Sequence, residues 1–209
     1  MEKQNNIVLE INDLLVKANT IKGEAELLRI DHLQVNKGEI LGIVGESGSG
    51  KSILALTILD LLPSNVRIVS GEIRFNGEDI SKLSHKQMRS KYLGKQLTMI
   101  FQDPMASLNP VFTVRQQLEG VIRANSSGLD KKQVHSKAVE MLSLVKLSDP
   151  EMTMEKYPHE LSGGMRQRVL IAMALSAGAN FLISDEATRA LDVTIQAGIL
   201  KLMEELAAT

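Results

Sequence analysis

An α/β fold built around a glycine-rich strand-to-helix loop is what this 209-residue sequence predicts. Three observations predict it. A glycine-rich octet, Gly45-Glu46-Ser47-Gly48-Ser49-Gly50-Lys51-Ser52, stands between an apolar run and a helix-compatible run. A second apolar run, Phe181-Leu182-Ile183-Ser184, delivers two adjacent acids, Asp185 and Glu186. Between the two, apolar spacing changes from strand-like alternation to helical periodicity and back again.

Taken in order, residues 7–77 alternate β-like runs with turns and predict an antiparallel subdomain interleaved with the loop's own strand and helix. Ile40-Leu41-Gly42-Ile43-Val44 has the continuous apolar character of a strand buried on both faces. Residues 53–62 are apolar and helix-compatible until Pro63 stops them. Glu72-Ile73-Arg74-Phe75 alternates strictly and runs into Asn76-Gly77, a strong hairpin-turn signal. Residues 82–89 read as a short polar helix, and Leu97-Thr98-Met99-Ile100-Phe101 as a strand returning to the core. From 103 to 161 the spacing is helical, at 114–124 and 132–147, with a polar loop at 125–130. The stretch Glu140-Met141-Leu142-Ser143-Leu144-Val145 reads as the buried side of the second helix. The division expected is a core with the β-subdomain at 1–102, a helical subdomain at 103–161, and a return to the core at 162–209.

The octet fits GxxxxGK(S/T), and its chemistry follows from the backbone. Glycines let successive N–H groups turn toward a polyphosphate, and the following helix adds its unpaired donors and positive dipole end. Lys51 would neutralise β- and γ-phosphate charge, and the Ser52 hydroxyl would ligate Mg²⁺. Asp185 would hold Mg²⁺ directly or through water, and Glu186 would orient or deprotonate an attacking water. Taken alone, the two acids also fit a strand that ends in solvated carboxylates. Ser162-Gly163-Gly164 precedes a helix-compatible run from Met165 to Ala177, so Ser162 reads as an N-cap in front of exposed backbone donors. In isolation that is an ordinary capped helix. The full string Tyr157-Pro158-His159-Glu160-Leu161-Ser162-Gly163-Gly164-Met165-Arg166-Gln167-Arg168 is longer than capping demands.

That string resembles the ABC signature, and with the octet and the paired acids the sequence resembles an ABC-type ATPase from about Ile7 to Leu206. The fold implied is a P-loop NTPase (RecA-like) core with an antiparallel β-subdomain and an inserted helical subdomain. Gln102, in Ile100-Phe101-Gln102-Asp103-Pro104, resembles the Q-loop glutamine that reaches Mg²⁺ and the water. Ala190-Leu191-Asp192 resembles the D-loop that crosses a dimer. Ser107-Leu108-Asn109-Pro110, Tyr157-Pro158-His159-Glu160 and residues 190–196 are similar to the importer branch that handles oligopeptides, dipeptides and nickel. The resemblance implies MgATP held by residues 45–52 of one subunit and by Ser162, Gly163 and Gly164 of another, with Asp192 at the contact. Its implied partners are two transmembrane permease subunits, a second ATPase subunit, the same or related, and, indirectly, an extracytoplasmic solute-binding protein. The place implied is the cytoplasmic face of the membrane. A soluble, transport-independent ATPase of this type usually carries a second cassette or a long coiled-coil insertion, and neither is seen.

Several positions depart from the pattern. Ala18 stands where an adenine-stacking aromatic is common, Ala187 where proline follows the glutamate, and Arg189 where a small hydroxyl residue opens the D-loop. The pattern also continues through core strands to a switch histidine about thirty residues past the glutamate. All four histidines, His32, His85, His135 and His159, precede Glu186. The expectation is therefore a truncated chain lacking C-terminal core strands, whose apolar neighbours would be left without ladder partners, and a catalytically impaired remnant is a reading to be weighed against the transporter ATPase.

Composition narrows the classes further. Hydrophobic residues make up 44% of the chain, which excludes wholesale disorder. With 24 basic and 25 acidic residues the net charge is −1, so no nucleic-acid footprint is expected. The absence of cysteine excludes disulfides, cysteine-held zinc and iron–sulfur clusters. The first residues lack the basic and apolar regions of a signal peptide, and no apolar run approaches the ~20 residues of a membrane span.

Overall fold

The computed structural model describes residues 6–101, 107–185 and 193–207. The chain divides into two compact units, Met1–Ser90 with Glu204–Thr209, and Lys91–Met203.

In the first unit a long hairpin leads. Strands β1 (Ile7–Thr20) and β2 (Gly23–Asn36) pair antiparallel from Thr20 opposite Gly23 to Ile7 opposite Asn36. Strand β3 (Val66–Phe75) lines the other edge of β1, and the two-residue β4 (Glu78–Asp79) completes the order β2-β1-β3-β4. The turn joining β3 to β4 is the expected Asn76-Gly77, with φ of 49° and 82°. Buried apolar residues in β1 fall on odd positions first, Leu9 and Ile11, then on even ones, Leu14, Val16 and Ala18. Strict alternation would send the second set to the opposite face. Asp13, at φ 50°, absorbs the extra step, and the β1–β3 register shifts between Asn12 and Leu15. Five apolar side chains are thereby kept in the core.

Helix α1 (Lys51–Ile58) follows the glycine octet and buries Leu54, Ala55 and Ile58. It is shorter than the apolar run suggests, because Asp60 takes φ 53° and the chain turns before Pro63. The polar helix expected at 82–89 is split in two: a 3₁₀ turn (Ile80–Lys82) capped by Asp79, then α2 (His85–Lys91), where Ser84 and Gln87 exchange bonds. The largest difference lies just before the octet. Residues 40–44 form no strand, and Ile40 and Val44 are 57% and 98% exposed. A strand exists only as part of a ladder, and no described strand pairs with this run, so its apolar character cannot make it one.

The second unit carries a parallel pair, β5 (Leu97–Ile100) and β6 (Phe181–Ser184), in the register Leu97 to Phe181 through Ile100 to Ser184. Between them come α3 (Val114–Asn125), α4 (Lys131–Leu144), α5 (Pro150–Glu155) and α6 (Gly163–Ser176), and α7 (Val193–Ala207) follows. Each of α3 to α6 starts at a side chain that accepts from its first turn: Thr113 from Gln116, Asp130 from Gln133, Asp149 from Met152 and Ser162 from Met165. Thr113 and Asp130 are full capping boxes, with the glutamine returning to the cap residue's own N–H. Val114, Leu118 and Ile122 on α3 and Val134, Ala138 and Leu142 on α4 are buried at the helical spacing the sequence indicates, while α6 is buried on most sides, from Gln167 through Val169, Leu170, Ile171 and Ala172 to Ala174.

Candidate functional site

The glycine octet is an exposed loop closing on the N-terminus of α1. Gly48 and Gly50 take φ of 83° and 92°, which side-chain-bearing residues rarely adopt. At Gly50 a Cβ would also stand 2.9 Å from the Leu27 carbonyl oxygen, and at Gly45 one would stand 2.7 Å from Ser49 Oγ. Gly50 is therefore held by both its conformation and a backbone neighbour, whereas at Gly48, where nothing lies within 4 Å, the conformation alone favours glycine. Lys51 Nζ bends back into the loop and donates to the carbonyls of Gly45 (2.8 Å) and Glu46 (2.7 Å), with Ser49 Oγ at 3.4 Å. Ser49 N–H closes the turn onto the Glu46 carbonyl at 3.2 Å. Among the described residues no side chain caps α1, so the amides of its first turn remain available to an anion. Ser52 lies exposed in that turn.

A second helix start carries the serine–glycine string. Ser162 and Gly163 are exposed, Gly164 is buried, and Ser162 Oγ accepts from Met165 N–H at 3.3 Å. The flanking residues fix how the chain enters α6. Glu160 accepts from Tyr157 N–H at 2.7 Å, Arg166 Nε donates to the Pro158 carbonyl at 2.8 Å, and Arg168 Nη1 donates to the Val145 carbonyl at 2.6 Å. Tyr157 and His159 stack with ring centroids 5.6 Å apart. The sequence alone assigns Arg166, Gln167 and Arg168 no separate roles. Gln167 is fully buried and, among the described residues, neither amide atom has a partner; the signal was its place on the buried stripe that continues through Leu170 and Ile171.

Asp185 follows β6 directly, half-buried, and its N–H donates to the Ile100 carbonyl at 3.1 Å. Residues 45–52 thus belong to one unit, and Ser162, Gly163, Gly164 and Asp185 to the other. Gln102, Glu186, Ala187, Arg189 and Asp192 lie outside the described residues. Ala18 is buried in β1 opposite Ala25 and Val66, leaving no aromatic ring at that position. Among the described residues no cluster of three or more His, Cys, Asp or Glu is placed to hold a metal ion, and no helix is long and apolar enough to cross a membrane.

Comparison with known proteins fits this arrangement. Residues 28–189 match the family described as ABC transporter. The oligopeptide transport ATP-binding protein OppD of Bacillus subtilis is 48% identical over 200 residues, covering 95% of this chain and 55% of that protein. The dipeptide transport ATP-binding protein DppD of Escherichia coli is 46% identical over 172 residues, covering 82% of this chain and 52% of its own length. The chain therefore spans little more than half the length of these relatives. Among solved structures, the dimeric ATP-binding cassette MJ0796 bound to ADP and Pi superposes with a TM-score of 0.82 at 24% identity, over 95% of this chain and 82% of that one. For cbiO1 of Clostridium perfringens, part of a complex termed cbiONQ, the TM-score is 0.80 at 27% identity, over 97% and 74% of the two chains.

Proposed function

The chain belongs to the ABC transporter family, and from that premise we propose that it is the nucleotide-binding part of an ATPase subunit that energises peptide import. The observation that carries the proposal is the loop at 45–52, whose backbone turns favour glycine and whose lysine already lies among the loop carbonyls. Its exposed, uncapped helix start fits the phosphates of ATP. In this reading Lys51 leaves its carbonyl partners for β- and γ-phosphate oxygens, so binding exchanges one set of charge-assisted bonds for another.

Ser52 and Asp185 would hold Mg²⁺ together with Gln102, and the ion would supply charge neutralisation across the phosphates. Glu186 would orient the attacking water. The donors at Ser162, Gly163 and Gly164 would meet the γ-phosphate of a second ATPase subunit, the same or related, with Asp192 at that contact. Two membrane permeases and an extracytoplasmic solute-binding protein complete the proposed system, with this subunit peripheral on the cytoplasmic face. Peptide is favoured over nickel as cargo, because the relatives above are named for oligopeptide and dipeptide transport. One observation favours a second reading, nucleotide binding without turnover: the run at 40–44, directly before the loop, pairs with no described strand.

Binding of a fluorescent ATP analogue, followed by phosphate release, tests both readings. Lys51→Ala is expected to abolish binding. Glu186→Gln is expected to keep binding and to lose the ~10²–10⁴-fold that a positioned base supplies. Equal affinity of Lys51→Ala and wild type would overturn the nucleotide site. Binding without phosphate release in the wild type would select the second reading.

A further inference from the structure

Beside the glycine loop the chain offers a nucleotide no aromatic ring. In the unit that carries the loop, residues 1–90 and 204–209, the only Phe, Tyr or Trp is Phe75, and it is fully buried. Tyr92, Phe101, Phe112, Tyr157 and Phe181 belong to the other unit. The two imidazoles of the loop's own unit are engaged, His32 Nδ1 with Asn12 Oδ1 at 2.7 Å and His85 Nδ1 with Asp60 Oδ2 at 2.9 Å.

The surface that borders the loop is aliphatic. A Cβ at Gly50 would stand 2.9 Å from the Leu27 carbonyl oxygen and 3.2 Å from Leu28 Cδ1, so β2 runs directly against the loop, and α1 packs on the same strand. Leu28 pairs with Val16 and Ala25 with Ala18, and directly paired residues share a face of a sheet. Val16 and Ala18 are two apart on β1, so these four side chains lie on the face that meets the loop. The charged side chains flanking that face close on one another. Lys17 Nζ reaches Glu24 at 3.3 Å, Arg67 pairs with the same carboxylate, and Arg29 donates twice to Glu26, at 2.9 and 2.8 Å. An aliphatic surface gives a base van der Waals contact, but neither ring stacking nor the placed polar groups that tell one base from another.

We propose, on the reading that residues 45–52 hold nucleotide, that this site takes the triphosphate and is indifferent to the base. Purine and pyrimidine nucleoside triphosphates and inorganic tripolyphosphate are then ligands of one class. Recognition is carried by the amides at the start of α1 and by Lys51, groups that meet phosphate and nothing beyond it. Stacking on a ring contributes roughly five- to 150-fold in affinity per base, and a site without a ring forgoes that preference.

Competition against a ribose-labelled fluorescent ATP analogue on the full chain is the test. The competitors are ATP, GTP, UTP and inorganic tripolyphosphate, at fixed Mg²⁺ and ionic strength because all four are polyanions. Their affinities are expected to agree within about fivefold, the smallest preference a stacked base would give. A larger preference for ATP over UTP or over tripolyphosphate would overturn base indifference while leaving the loop a nucleotide site. No displacement by any of the four would remove the nucleotide reading, and base indifference with it. Ala25→Tyr supplies a second readout, because Ala25 is half-buried on the edge strand β2. A ring there is expected to raise the affinity for ATP over that for tripolyphosphate by about fivefold or more, with tripolyphosphate itself unchanged. An unchanged ratio would overturn the placement of the base on this surface.

Discussion

Gly71 shows how one residue decides which face a strand buries. It takes φ 93°, and a Cβ there would stand 2.5 Å from both the Asp13 carbonyl oxygen and Leu14 Cα. These are backbone atoms of the bulge that shifts β1 from odd to even burial, and they cannot swing aside. Gly71→Ala is therefore expected to destabilise the chain by at least about 1–3 kcal/mol, combining left-handed strain with a backbone clash. Gly77 supplies the control: its φ is 82° but nothing lies within 4 Å of its Cβ position, so Gly77→Ala should cost less, about 1 kcal/mol. Denaturant midpoints of the two variants check the order, and equal losses would show that the bulge does not set the register. The sequence does contain this signal, as an apolar frame that slips by one residue between Ile11 and Leu14, but only the paired strand shows which side of the slip Gly71 supports.

Helix starts were legible because a cap is written within four residues. Ser162 before its glycines caps the helix its position indicates, and Thr113 with Gln116 and Asp130 with Gln133 carry the same short-range signal at two helices that the sequence places by apolar spacing alone. The run at 40–44 has the apolar character of a strand yet forms none, for the complementary reason that strand identity depends on a ladder partner distant in sequence. The contacts of His135 on α4 with Glu119 on α3 and Glu151 on α5 are not legible in the sequence either, because each carboxylate lies 16 residues away and only the packing of three helices joins them. Asp79 gives a test at this scale. Burial acts to raise its carboxyl, but bonds from Lys82, at 2.7 Å, and from the Ser81 hydroxyl and N–H outweigh it, leaving the group below the ordinary aspartate value. A carboxyl lowered on folding contributes stability that is present above its unfolded value and lost as pH falls toward the folded one. Asp79→Ala is expected to cost about 1 kcal/mol at neutral pH. That difference should narrow below about pH 4. Urea midpoints of both proteins at the two pH values check it, and a gap that widens in acid would reverse the assigned sign.

Across the chain, the legible parts of the candidate site are those encoded in short contiguous strings. The octet, the serine–glycine helix start and the acid after β6 each form locally, whereas their mutual arrangement is not written in any one segment. The length of the signature string has a local cause as well. Glu160 closing on Tyr157, Arg166 on Pro158 and Arg168 on Val145 hold the approach to α6, so the helix start proposed to meet a ligand is fixed on both sides of Ser162. Amide hydrogen exchange on the full chain reads these segments separately. Amides of β1, paired on both edges, are expected to be protected, and those of 40–44, which pair with no described strand, to exchange freely. MgATP should slow exchange across 45–54, because a ligand bound only by the native loop stabilises it by an amount set by its concentration over Kd, about 2.7 kcal/mol at a hundredfold excess. Slowing at 45–54 while 40–44 still exchanges freely would mean that the loop and the start of α1 hold nucleotide without a strand in front of them. Unchanged exchange at 45–54 would leave the glycines as a turn of the chain and nothing more, and the nucleotide site would fall with it.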